Sequence, residues 1–143
     1  MALSQNIEVK TENAGYTVPY LANAEDVFYK GALVDILTSA GKIVVAGDTA
    51  SHVFAGYVAE YVSAAAGDTV KVVRSDRAWF SVSSAAQTDI GKFVYATADD
   101  TLSTSTATNV LPAGLIVDVD LVNDEWLVDF AKGNVVVIDT TGA

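Results

Sequence analysis

The stretch that decides the fold class is residues 115–130, LIVDVDLVNDEWLVDF. Its first half places an apolar residue at every second position, and the alternation resumes at Trp126. A period of two is typical of a strand with one buried and one solvated face. Residues 122–125 supply a polar turn, so the stretch is interpreted as a β-hairpin. Its expected inward residues are Leu115, Val117, Val119, Leu121, Trp126, Val128 and Phe130, and its expected outward residues are Ile116, Asp118, Asp120, Leu127 and Asp129.

The rest of the chain carries the same type of pattern. Valine, alanine, threonine and aromatic residues dominate, and glycine interrupts them at short intervals. This favours an all-β fold with frequent turns. Residues 17–143 are predicted to form a single β-rich domain, and residues 1–16 either an N-terminal arm or an edge strand. The predicted strands are Ile7–Lys10, Thr17–Leu21, Ala32–Leu37, Lys42–Val45, Phe54–Val62, Thr69–Arg74, Trp79–Val82, Phe93–Thr97, Leu115–Leu121, Trp126–Phe130 and Val135–Ile138.

Three local features punctuate these strands. A second hairpin is predicted to join residues 69–74 to residues 79–82 through Ser75-Asp76, and residues 65–68 (AAGD) predict a turn before it. One short helical turn is predicted through Ala85 to Ile90. Its expected cap is Ser83 or Ser84, and its expected end is Gly91.

Composition and charge restrict the partners. The 143 residues include 18 acidic and 8 basic ones, a net charge of −10 that repels nucleic-acid phosphates and anionic membranes. Apolar residues make up 51% of the chain and charged residues only 18%, which indicates burial against a partner as well as in a core. The chain has no cysteine. Residues 1–10 lack the pattern of a signal peptide, and no apolar run reaches the roughly 20 residues of a membrane helix.

The sequence lacks the known catalytic and ligand-binding motifs. The single histidine, His52, has no Gly-x-Ser-x-Gly elbow to provide a nucleophile. Asp118, Asp120 and Asp124 lack the spacing of a calcium loop. Gly41-Lys42 lacks both the earlier glycine and the following hydroxyl residue of a phosphate loop. The sequence therefore predicts no catalytic residue, no metal site and no cofactor.

Tyrosines and the apolar residues near the N-terminus are the candidates for binding. Tyr57 and Tyr61 share strand parity, so they are expected on one face, where they would either anchor an interface or cap the core. The first sixteen residues are weakly patterned but carry apolar side chains that would add a strand to an exposed sheet edge. The full set of predicted contact residues is Ile7, Val9, Tyr16, Tyr20, Tyr57 and Tyr61.

The order of several segments resembles a known family. The run FAGYVAEY at residues 54–61 precedes GDTVKVVRSDRAWF at 67–80, DIGKFVYATADD at 89–100 and AGLIVDV at 113–119. In this order and spacing, the segments resemble the head decoration, or capsid cement, proteins of tailed phages. The resemblance covers roughly residues 6–130 and does not include residues 133–143. Gly67, Gly91 and Gly114 are expected to open strands at positions that favour positive φ.

The resemblance implies a small β-barrel or tulip-like fold. It also implies a homotrimer that binds the major capsid protein on the outer surface of a virion, at local three-fold positions, without catalysis. Two alternatives remain open: another virion component, such as a tail, head-fibre or receptor-binding module, and a carbohydrate-binding β module. A small hydrolase on a β scaffold is the remaining and weakest alternative.

Overall fold

The computed structural model describes residues 3–7, 9–11, 16–74, 77–105 and 111–132, with the backbone alone at residues 10, 11, 16 and 132. Thirteen strands and two 3-10 turns form the regular structure of these ranges, which confirms the all-β prediction. The predicted strand Val135–Ile138 lies outside them. The strands are β1 (Lys10–Thr11), β2 (Tyr16–Leu21), β3 (Asp26–Phe28), β4 (Leu33–Leu37), β5 (Lys42–Val45), β6 (His52–Val58), β7 (Val62–Ala64), β8 (Thr69–Arg74), β9 (Arg77–Ser81), β10 (Phe93–Ala98), β11 (Thr101–Ser103), β12 (Gly114–Asp120) and β13 (Glu125–Asp129), and the 3-10 turns are Gln87–Asp89 and Phe130–Lys132.

The strands form three antiparallel sheets. A six-stranded sheet has the order β1-β9-β13-β12-β10-β11, a five-stranded sheet the order β2-β8-β6-β4-β5, and β3 pairs with β7. The two edges of the five-stranded sheet meet at one parallel bridge between Ala22 and Ile43, where the Asn23 N–H donates to the Ile43 carbonyl at 3.0 Å. One bridge does not establish a closed barrel, so the barrel or tulip shape stays a prediction.

The hairpin of residues 115–130 is confirmed, but its inner face is corrected. β12 pairs with β13, and the register shifts between Ile116 and Asp118. Ile116 is fully buried, whereas Leu115 and Val117 are partly exposed. In the part of β12 before the bulge, the residue that faces inward is therefore one that was predicted to face outward. Leu127, which was predicted to face outward, is also buried, and β13 lies between β9 and β12 in its sheet.

The second predicted hairpin is wrong. β8 and β9 both form as strands, but β8 pairs with β2 and β6, whereas β9 pairs with β1 and β13. The chain therefore passes from one sheet to the other between them. The intervening Ser75 and Asp76 lie outside the described residues.

The predicted turn at residues 65–68 forms, and the Asp68 carboxylate accepts the Ala65 N–H at 2.9 Å. The predicted helical turn is a 3-10 turn, Gln87–Asp89, followed by Gly91 at φ +93°. Its start is capped by Asp89, which accepts the Ala86 N–H at 2.9 Å, rather than by Ser83 or Ser84. Gly114 does not have positive φ; a Cβ there would crowd the side chain of Val128, so close packing explains this glycine.

The five-stranded sheet has a hydrophobic core on each face. Phe54 and Tyr57 of β6 belong to the first core, with residues of β9, β10, β12 and β13, whereas Ala55 and Val58 belong to the second. Positions three apart point to opposite faces of a regular strand. A bulge opposite Val34 and Asp35 adds the residue that puts Phe54 and Tyr57 on the same side.

Candidate functional site

A buried Asp–His pair is the arrangement closest to catalytic geometry. Asp35 Oδ2 lies 3.0 Å from His52 Nδ1 and accepts the Gly47 N–H at 3.1 Å. The side chain of Asp35 is 2% exposed and that of His52 is 12% exposed. Burial raises the pKa of the Asp35 carboxyl above its ordinary value, against the opposing effect of the Gly47 N–H and of His52.

The pair orients the imidazole in the way that an orienting carboxylate does in a catalytic triad. A triad also needs a hydroxyl or thiol on the other ring nitrogen. Within the described ranges, the His52 ring makes its hydrogen bond to the Asp35 carboxylate and not to a hydroxyl or thiol group. The pair therefore holds the loop before β6 against β4, and His52 is a partly buried polar residue.

The carboxylates considered as calcium ligands accept hydrogen bonds from backbone N–H groups of their own hairpin and of the segment after β9. Asp118 accepts the Val119 N–H, Asp120 the N–H groups of the turn, and Asp124 the Ala85 N–H at 3.0 Å. Among the residues that the structure describes, no three His, Cys, Asp or Glu side chains are grouped to hold a metal ion. In the same ranges, no helix is long and apolar enough to cross a membrane.

The segment before β1, residues 3–7 and 9, lies along the body of the protein. The Ile7 N–H donates to the Lys30 carbonyl at 2.8 Å, and the Lys30 N–H donates to Asn6 Oδ1 at 2.9 Å. The Leu3 N–H donates to the carboxylate of Asp99 at 3.1 Å. β1 then pairs with β9 at the edge of the six-stranded sheet.

Glycine at position 31 makes room for this N-terminal segment. Gly31 is buried at φ +84°, and a Cβ there would collide with the side chain of Ile7 and lie 2.9 Å from its carbonyl oxygen. A cavity of about 240 Å³ lies beside this contact and is lined by Leu3, Ile7, Val9, Gly31, Leu33, Trp79, Phe80, Ser81, Asp99, Asp100 and Leu102. The contact between Gly31 and Ile7 could not be predicted from local sequence patterns, because the two residues meet only through the fold.

The predicted contact residues do not form one surface. Val9 packs against the first core and Tyr20 against the second. Tyr57 is buried, with its ring 5.9 Å from that of Phe80, whereas Tyr61 is 51% exposed. The expectation that Tyr57 and Tyr61 share a face is therefore wrong, because β6 ends at Val58. The ring of Tyr61 instead lies 5.6 Å from that of Tyr29, centroid to centroid. Ile7 is partly exposed, and the side chain of Tyr16 is not among those that the structure describes.

The tip of the β12–β13 hairpin carries exposed residues that sequence reasoning missed. Leu121 was expected to face inward and Val122 to belong to a polar turn. Leu121 is 52% exposed and Val122 is 91% exposed. The signal lay in Asp120 and Asn123, whose side chains favour a tight turn and so leave the two apolar residues outside it.

An open cleft of about 550 Å³ lies between the strand end of β9 and β11. Its lining includes Trp126, whose indole N–H donates to Asp89 Oδ2 at 3.0 Å. Trp126 is only 6% exposed, so little of its ring faces the cleft. Hydroxyl groups form much of the wall, contributed by Ser81, Ser83, Ser84, Thr101, Ser103 and Thr104.

Compared with known proteins, the chain matches no family model, no curated protein and no solved structure.

Proposed function

We propose that this chain is a non-enzymatic structural protein that binds the outer surface of a phage capsid as a homo-oligomer, most simply a trimer, and stabilises the shell. The observation that carries the proposal is the exposure of large apolar side chains on a strongly acidic protein. At least a third of the surface of each of these residues is exposed: Leu21, Val27, Tyr61, Ile90, Leu111, Leu121 and Val122.

Exposed apolar side chains are the groups that gain most from a protein interface. Single exposed apolar residues are common on monomers, but here they accompany a low fraction of charged residues. A binding role also fits the β scaffold, which holds its loops on two packed sheets. The choice of a capsid as the partner rests on the resemblance of residues 6–130 to head decoration proteins.

The physical basis of stabilisation is mass action. A protein that binds only the assembled shell stabilises it by about 2.7 kcal/mol per site at a hundredfold excess over its Kd. An oligomer that engages several shell subunits adds avidity, because its second contact is effectively intramolecular. No chemical step is required.

The experiment compares heads of the phage that encodes this chain, purified with and without it. Heads without the protein should release DNA at a lower temperature, and added protein should restore the higher one. Light scattering of the protein, together with density on decorated heads, should show three chains per unit. Equal release temperatures at saturated binding would refute the stabilising role, and single, separated chains on the shell would refute the trimer.

The cleft beside Trp126 favours carbohydrate binding as a second candidate function. Hydroxyl and carboxylate groups around a tryptophan are the donors and acceptors that sugars use, although the low exposure of Trp126 leaves little ring for stacking. A glycan array would test it. Binding that Ser83→Ala and Thr101→Ala weaken would support this function, and an array without binding would exclude it.

A further inference from the structure

Hydrogen bonds within the turn order the exposed apolar tip of the β12–β13 hairpin. The carboxylate of Asp120 accepts the N–H groups of Val122 and Asn123, both at 3.0 Å, and the Asn123 side-chain amide at 2.9 Å. Asp124 completes the turn at φ +51°. The position of Leu121 and Val122 is therefore fixed before any partner arrives.

A second set of hydrogen bonds fixes the tip to the rest of the protein. The Val82 N–H donates to the Asp124 carbonyl at 2.9 Å, and the Ala85 N–H donates to the Asp124 carboxylate at 3.0 Å. The hairpin is thus supported by the segment after β9. A preorganised group loses less conformational entropy on binding than a flexible loop does, which favours the tip as an anchor.

The charges around the tip indicate the kind of partner. Residues 118–124 include three acidic residues that are at least partly exposed, Asp118, Asp120 and Asp124, and no lysine or arginine. Carboxylates beside an apolar group disfavour insertion into an anionic membrane and favour a surface with basic residues.

We propose that Leu121 and Val122 form a preorganised anchor that inserts into an apolar pocket with a lysine- or arginine-rich rim on a partner protein. This rests on the proposed function, in which the partner is the capsid shell. The anchor supplies affinity through burial, and the surrounding carboxylates accelerate association and select the basic rim.

The test measures binding of the full chain to heads of its own phage that lack the protein. Val122→Ser should weaken binding about tenfold or more, because full burial of a valine side chain is worth about that factor. Val53→Ser is the matched control, since it changes the same residue type at a partly exposed position of another sheet. Circular dichroism of both variants should remain that of the parent chain, because neither side chain is in the core.

A second variant tests the charges. Asp118→Asn should slow association severalfold at low salt and have little effect at high salt, because screening removes the attraction. Asparagine keeps an oxygen that accepts the Val119 N–H.

The outcomes separate the two proposals. If the parent chain binds heads and Val122→Ser binds equally well, the anchor is refuted and the capsid role stands. Equal losses in Val122→Ser and Val53→Ser also refute the anchor. If the parent chain does not bind heads, both proposals fail. Binding of the parent chain to phosphatidylcholine vesicles that Val122→Ser abolishes would show a lipid partner and overturn the protein pocket.

Discussion

The N-terminal segment and the β12–β13 tip both place apolar side chains outside the regular strands, but they use them in opposite ways. The segment contacts its own body through Ile7 at Gly31 and Val9 at the first core. The tip leaves Leu121 and Val122 in solvent on a turn that is already ordered. Apolar character alone therefore does not identify a contact residue; what matters is whether the chain has already buried it.

The largest expected effect on stability comes from the contact between Gly31 and Ile7, which holds the N-terminal segment. Gly31→Ala should lower the free energy of unfolding by about 2–4 kcal/mol, because it adds a Cβ at positive φ and displaces Ile7. Urea unfolding provides the measurement. Gly41→Ala is the matched control: Gly41 has φ +67° and nothing within 4 Å of an added Cβ, so it should cost only about 1–2 kcal/mol. Equal losses would mean that Ile7 is not held at Gly31.

A smaller effect should distinguish buried from exposed apolar groups directly. Ile7→Ala should destabilise the protein by about 1–2 kcal/mol, since Ile7 is only partly buried. Val122→Ala should change stability by less than about 0.5 kcal/mol. Thermal or urea unfolding of the two variants checks this. If Val122→Ala destabilises the protein as much as Ile7→Ala does, the tip serves the fold rather than a partner.

The smallest expected effect is on how the free energy of unfolding depends on pH, and its sign should be opposite in the two regions. Burial raises the pKa of Asp99, which holds Leu3, above its ordinary value of 3.8. The folded state then binds more protons than the unfolded state, so the contribution of Asp99 is most favourable at low pH and is lost as pH rises from 3.8 through the folded pKa.

Asp89, beneath the hairpin, behaves oppositely. Burial acts to raise its pKa, but hydrogen bonds from Ala86, Trp126 and Lys92 outweigh burial and lower the pKa. Its contribution to the free energy of unfolding is present above pH 3.8 and is lost as the pH falls through the pKa of the folded state. Unfolding free energies measured against pH for Asp99→Asn and Asp89→Asn should differ from the parent curve with opposite slopes. Slopes of the same sign would contradict the assignment.

Local patterns in the sequence predicted the parts of the fold that depend on neighbours. The hairpin of residues 115–130 and the turn of residues 65–68 follow from alternation and from Gly and Asp at the turn. Pairing between distant strands has no such local signal. For that reason β8 and β9 were predicted as one hairpin, although their partners lie far along the chain in different sheets.

The candidate surface was harder to predict than the fold. Side-chain direction depends on register, and because of one bulge between Ile116 and Asp118 the residues of β12 before it face opposite to the prediction. Leu121 was misplaced because strand alternation was extended one residue into the turn. Tyr57 and Tyr61 were predicted to share a face because the alternation of β6 was extended beyond the end of the strand. In each case the error arose where a strand bends or ends.

The separation of β8 from β9 also bears on the order of folding during synthesis. β8 pairs with β2 and β6, both of which precede it, so the five-stranded sheet has all its strands once Arg74 has been made. β9 lies next to β13 and cannot complete its ladder until Glu125–Asp129 has left the ribosome. Until then β9 exposes an open edge and the apolar side of Phe80. We expect the nascent chain to be most prone to aggregation in this interval, and a translational pause shortly before the hairpin to prolong it.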